Sequence, residues 1–222
     1  MSNQNPAEAN EEMIEALNHM GEKIGMASRK LANKIGIWHL CSQVFVFVRQ
    51  PDGAYSIIFQ RRSTKKSVSP GVLDISASGH VVTGSNAKDT ALQELREELG
   101  VAVSEDDLIH VGRRIDMYEA PGVLSRIFAD VFVVALQELP KGFTYERSEL
   151  DEIVLVPAKS LIVLFGEGGS TECVAYRITG EGQLTSESII VKPNEFLPRI
   201  DNLYIRVARL ANEFDSTSSH FI

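Results

Sequence analysis

Apolar residues run unbroken from Val44 to Val48, and a second strand-like run, Tyr55 to Phe59, follows the turn formers Pro51-Asp52-Gly53. Short runs rich in β-branched and aromatic residues, split by such a turn, predict a β-hairpin. Val72 to Ile75 predicts a further strand and Gly79 the start of a loop, after which Asn86 to Leu99 predicts an amphipathic helix stopped by Gly100. Leu108 to Val111, Ile127 to Leu136 (interrupted by Asp130) and Ile153 to Val156 predict strands, and Pro157 to Phe165 a short helix begun by proline. Past a Gly-rich turn at Gly166 to Gly169, Val174 to Ile178 and Ile189 to Val191 predict a second small strand pair. Asp201 to Phe214 predicts a last helix with Leu203, Ile205, Val207 and Leu210 toward a core. Near the start, Met13, Ile14, Leu17, Met20 and Ile24 recur at helical intervals and predict a helix. Gly21 and Gly25 weaken it, and short strands broken by glycine are the alternative.

Strands with few helices, no internal repeat and no interior linker predict one α+β domain over residues 13–214. A mobile polar N-terminal tail (1–12) and a C-terminal tail (215–222) flank it. The length of 222 residues fits one domain with an extension, and 44% hydrophobic with 23% charged residues fits a soluble globular chain. With 22 basic against 30 acidic residues the net charge is −8, which repels nucleic acid and anionic membrane. An anionic substrate must therefore be held locally, by a metal or a small basic cluster. No apolar stretch approaches the ~20 residues of a membrane helix. Cys41 and Cys173 stand far apart in no CxxC spacing, so no disulfide framework or structural zinc is expected. With no signal-peptide pattern at the start, a reducing, cytoplasmic setting is the expectation.

The chemistry concentrates between Gly79 and Val101. At about 100° per residue, Glu94, Glu97 and Glu98 share an arc of roughly 100°, opposite Leu92, Leu95 and Leu99. Three carboxylates within one turn repel one another, at a few tenths of a kcal/mol per i,i+4 pair on an exposed helix. A hard divalent cation reverses that sign, and magnesium is commonly held by carboxylates together with substrate phosphates. An acidic helix face alone is more often plain solvated surface; the flanking glycines shift the balance.

This stretch resembles the Nudix box, G-x5-E-x7-R-E-U-x-E-E-x-G-U, with U a bulky aliphatic residue. Gly79, Glu94, Leu95, Glu97, Glu98, Gly100 and Val101 fall on it in register, whereas Ser85 and Gln93 replace its first glutamate and its arginine. The resemblance implies a loop-helix-loop on an α/β/α sandwich with a mixed sheet. It also implies a hydrolase of nucleoside diphosphate derivatives or related small diphosphates, dependent on Mg²⁺ or Mn²⁺ held by Glu94, Glu97, Glu98 and Gly79. Glu97 and Glu98 are then catalytic, with Glu98 or the loop carboxylate Glu152 as proton acceptor. Glu149 is the other acidic candidate there.

Gly36-Ile37-Trp38-His39, Gln60-Arg61-Arg62-Ser63, Pro70-Gly71 and Asp74-Ile75-Ser76-Ala77-Ser78-Gly79-His80 are similar to the Nudix branch that includes isopentenyl diphosphate isomerase and its hydrolase relatives. The isomerases carry a cysteine where Ser78 stands, a histidine where Ala32 stands, and a second downstream glutamate that is absent here. Serine is a poorer proton donor to carbon than cysteine, so isomerase ranks below hydrolase. A Nudix domain weakened by Ser85 and Gln93, serving as a diphosphate-binding module, is the other rival. Arg61, Arg62, Lys66 and His80 are the candidate substrate-binding residues, arginine being suited to bidentate phosphate contacts. A solvated basic loop and a structural histidine are the competing readings. Ser85 also suits a helix N-cap. The expected partner is a small diphosphate, not nucleic acid or membrane. Relatives often form homodimers, which leaves the oligomeric state open, and the specificity loops are expected at Ile115 to Ser125 and after Gly166.

Overall fold

The computed structural model describes residues 11–66, 68–140, 144–145, 148–179 and 183–214. The tail expectations for 1–10 and 215–222, and Ser67 of the basic loop, lie outside them. Strands β1 (Met13–Leu17) and β2 (Lys23–Ser28) form a hairpin, followed by helix α1 (Arg29–Ile35), β3 (Trp38–Arg49), β4 (Tyr55–Arg62), β5 (Leu73–Asp74) and β6 (Ala77–His80). Helix α2 (Ala87–Leu99) precedes the long strands β7 (Ile109–Ala120) and β8 (Val123–Leu136). The chain ends with β9 (Leu150–Pro157), α3 (Ala158–Gly166), β10 (Thr171–Ile178), β11 (Leu184–Val191) and α4 (Leu203–Glu213).

The strands form one mixed sheet with the path β11-β10-β9-β4-β3-β1-β2, on which β6 and β8 also pair with β3. β3 and β8 run parallel, in register from Trp38↔Arg126 to Val48↔Leu136, and the other named pairs are antiparallel. β3 reads as a continuous apolar run because both its faces are covered. Side chains alternate along a strand, so Phe45 and Phe47 enter one core with α3 and α4 while Val44, Val46 and Val48 enter a second with α2. Helices thus cover both faces in an α/β/α sandwich. In α2, Leu95 and Leu99 are wholly buried, worth about 1.5–3 kcal/mol each, which leaves the carboxylate face turned away from that core.

The first helix expectation fails. Residues 13–17 pair with 23–28 as strands, Gly21 takes a left-handed φ of 82° in the turn, and Met20 and Ile24 are exposed rather than aligned on a core. The second glycine, Gly25, sits opposite Ala16 in the ladder. Glu12 does not belong to a free tail, since its carbonyl accepts from Arg29 N at 2.9 Å and its carboxylate pairs with the Arg29 guanidinium at 2.8 Å. Gly79 lies inside β6 rather than opening a loop. The expected specificity loop at 115–125 is the tip of the β7–β8 hairpin, turned by Pro121-Gly122 with Gly122 at φ 78°. Among the described residues no helix is long and apolar enough to cross a membrane.

Candidate active site

Helix α2 starts with Asn86, whose side chain accepts from Asp89 N at 2.9 Å, and ends at Gly100 in the left-handed region. Asn86, not Ser85, is therefore the cap. The helix lies over β6, so Glu94 rests on Gly79: a Cβ built at that glycine would lie 1.9 Å from Glu94 Oε1. One turn on, Glu98 Oε2 accepts from Ser78 N at 3.0 Å and from Gln60 Nε2 at 2.7 Å. Glu97 is exposed and accepts from Gln93 Nε2 at 2.8 Å. Glutamine at the arginine position of the box thus keeps a neutral bond to a box carboxylate.

Among the described residues Glu94 has no hydrogen bond and no ion pair. Burial, then the Glu98 and Glu97 charges, push its carboxyl up to about 8. Burial pushes Glu98 up to about 7 against the opposing pull of its Gln60 and Ser78 bonds. Among the described residues no three His, Cys, Asp or Glu side chains are already gathered as a metal site. The donor set nevertheless suits a hard cation: three carboxylates on one helix face, none of them in an ion pair among the described residues and Glu94 without even a hydrogen bond.

These groups open into a cavity of about 670 Å³ that also receives Gly79, His80, Arg62, Lys66 and Glu149. His80 stacks on His39 with ring centroids 5.0 Å apart. Burial lowers the pKa of both imidazoles, with Arg29 and His39 adding to the effect on His80. His80 therefore presents a neutral ring. Cys41 donates to Gly79 O at 2.9 Å, and burial pushes its thiol up to about 12, leaving it protonated. At the rim Lys66 pairs with Glu149, and Arg62 Nη1 stands 3.5 Å from Asp74 Oδ2.

Two candidates are elsewhere. Neighbouring residues of β4 face opposite sides, so Arg62 lines the cavity while Arg61 binds Glu152, its cross-strand partner on β9. Arg61 Nε donates to Glu152 Oε1 at 2.5 Å and Arg177 Nη2 holds Oε2 at 2.6 Å. Glu152 is on a strand, not a loop, and is 2% exposed outside the cavity lining. A carboxylate held by two guanidiniums is a structural anchor, not a free base.

The cavity also has a polar floor that the sequence reading did not find. Gln43, Asp74, Asp116 and Arg199 line it. Arg199 bridges Asp74 and Asp116, while Arg114 joins Asp116 at 2.8 Å, Asp201 at 2.8 Å and Gln43 at 3.1 Å. Burial raises the Asp116 carboxyl, but Arg199 and Arg114 outweigh it and leave the pKa lowered. The available signal was on β7, where charged Arg114 and Asp116 point in while apolar Ile115 and Met117 are exposed. That inverted pattern marks a strand whose inner face borders a polar site.

A NUDIX domain model matches residues 39–172. The chain belongs to the Nudix family. An uncharacterized Nudix hydrolase of Clostridium acetobutylicum is 25% identical to it over 207 residues, 90% of this chain and 96% of that protein. Nudix hydrolase 3 of Arabidopsis thaliana is 31% identical over 152 residues, covering 66% of this chain and 19% of that protein. A Deinococcus radiodurans crystal structure superposes with a TM-score of 0.51 at 19% identity, over 70% of this chain and 90% of that one, a likeness of fold. Nudix membership places the chain among hydrolases acting on diphosphate bonds. The helix that carries Glu94, Glu97 and Glu98 is its Nudix helix.

Proposed function

We propose that this Nudix domain cleaves a diphosphate linkage in a nucleoside diphosphate derivative or related small diphosphate, with Mg²⁺ or Mn²⁺ held by Glu94, Glu97 and Glu98. The observation that carries the reading is Glu94, set against Gly79 beside two further carboxylates and without a cation of its own. When bound, the cation supplies countercharge for the phosphate oxygens and for the charge that develops as the phosphorus is attacked.

The chain's own residues do the rest. Ser78 N and Gln60 fix Glu98 through Oε2, leaving Oε1 to take the proton of the attacking water. Arg62 and Lys66 at the rim hold the phosphates, each exchanging a present protein partner for a phosphate oxygen. Neutral His80 donates or accepts a hydrogen bond there without adding charge.

Release of the two phosphate-bearing products from a panel of diphosphates with Mg²⁺ or Mn²⁺ tests this, in wild type and in Glu98→Gln. Release that needs metal and is lost in the variant supports the reading. A ligand bound by calorimetry yet never cleaved supports the binding-module alternative instead, which Gln93, neutral where the box has arginine, favours. The isomerase reading has less behind it, because Ser78 stands at the cysteine position.

A further inference from the structure

We propose that Asp74 and Asp116, held by Arg199, form a subsite for the non-phosphate half of the substrate, with the diphosphate reading above as its premise, and that this half carries hydroxyl or amino donors. Arg199 lies outside residues 39–172, the family-matched stretch. It reaches the cavity from the segment that follows a 3-10 turn at Pro193–Glu195. Its side chain is 8% exposed, and its Nη2 and Nη1 span Asp74 and Asp116. Its Nε is buried with no hydrogen-bond partner among the described residues.

The carboxylates keep unused acceptor capacity toward the cavity. Asp74 Oδ1 takes Arg199 and Ile75 N, at 2.9 Å for the latter, whereas among the described residues Oδ2 has only the Arg62 guanidinium 3.5 Å away. Asp116 Oδ2 is crowded by Gln43, Arg199 and Arg114, whereas Oδ1 has one bond, from Arg114 Nη2 at 3.2 Å. A carboxylate oxygen accepts about two hydrogen bonds. Hydroxyl or amino hydrogens complete this set in place of water. A hydrocarbon chain laid on the same floor strips water from two charged groups and returns nothing, a large cost for buried ions. Sites built for hydrogen bonds discriminate strongly against analogues that lack them. Arg199 is a positioning residue, because it holds together two like charges brought by strands far apart in the chain.

The test is calorimetry on the full chain with Mg²⁺ and non-hydrolysable probes in which CH₂ replaces the bridging oxygen. These are methylenediphosphonate, the methylene analogue of ADP-ribose and that of isopentenyl diphosphate. The ADP-ribose analogue is expected to bind at least ~10-fold more tightly than the other two. Asp116→Asn and Arg199→Lys are each expected to lower its affinity about 10-fold and leave methylenediphosphonate within about twofold, Asp116 having no contact with Arg62 or Lys66 among the described residues. Lysine keeps the charge but lacks the planar fork that spans both carboxylates. Equal loss for all three probes, or isopentenyl binding as tight as ADP-ribose binding, overturns the subsite. If Arg199→Lys does not fold, Asp116→Asn alone decides. If wild type binds no methylenediphosphonate, the diphosphate reading itself fails, a result distinct from lost selectivity, and the subsite falls with it.

Discussion

Glu94 fills the space that any side chain on Gly79 would need, its Oε1 lying 1.9 Å from where a Cβ would stand. This glycine is required by proximity, not by a left-handed backbone. Gly79→Ala is expected to cost about 1–3 kcal/mol through overpacking and to displace Glu94. A misplacement of ~1 Å at such a group lowers turnover about 100-fold. Melting temperature and diphosphate turnover read the two effects separately. Wild-type turnover in a folded variant would detach Glu94 from the reaction.

The same packing makes the metal-free protein sensitive to alkali. Glu94 and Glu98 are pushed to about 8 and about 7 from an ordinary 4.5, so the folded state binds their protons more tightly than the unfolded chain. Their contribution to stability is complete below about pH 4.5 and is lost as pH rises through about 7 to 8. The melting temperature without metal is expected to fall over that window, and Mg²⁺ or Mn²⁺ to restore it by replacing the proton as countercharge. A pH profile that metal leaves unchanged would count against the carboxylate site.

Glu152 and Glu98 are expected to part company on substitution. Glu152→Gln breaks the ion pairs of a buried carboxylate with partly buried Arg61 and half-exposed Arg177, a loss of about 1.5–3 kcal/mol because both arginines keep a second carboxylate in Glu195 and Glu187, while turnover per folded molecule stays near wild type. Glu98→Gln is expected to do the reverse. Urea unfolding beside active-site-normalised kinetics distinguishes them, and a Glu152 variant that is stable but inactive would reinstate it as a base.

Ser85 and Gln93 are both solvent-exposed, and Gln93 already reaches Glu97. Arginine at 93 would convert that bond to an ion pair, and glutamate at 85 would give it a further partner. Turnover of the double change Ser85→Glu with Gln93→Arg is expected to exceed the sum of the single effects. Additivity in a double-mutant cycle would show that the two positions do not act as a frame.

What the sequence disclosed follows from how local each signal is. The hairpin of β3 and β4, helix α2 and the strand pair β10–β11 announce themselves by contiguous runs and adjacent turn residues. The β1–β2 hairpin was legible only as the alternative, because five apolar residues happened to fall at helical intervals and Gly21 and Gly25 alone spoke for broken strands. Most of β7 escaped because charged residues occupy its buried positions, against the usual rule. The site divided the same way: Glu94, Glu97 and Glu98 are neighbours on one helix, whereas Arg199 meets Asp74 across 125 positions. Arg61 looked equivalent to Arg62 until strand pleating sent the two apart.

The parallel pairing of β3 with β8 bears on how the protein reaches its working state. A parallel pair has no tight-turn route, so the whole chain from Arg49 to Val123 must be accommodated before these strands zip together. Helix α2 lies inside that crossover. Closing so long a loop is entropically late work, and non-local pairings of this kind slow folding. Refolding is therefore expected to yield hairpins early and a competent cleft only in the slowest phase. Recovered hydrolysis would lag recovered strand signal, because β7 and β8 bring one wall of the cleft, Asp116, Tyr118 and Ile127 among it, and join β3 only in that step.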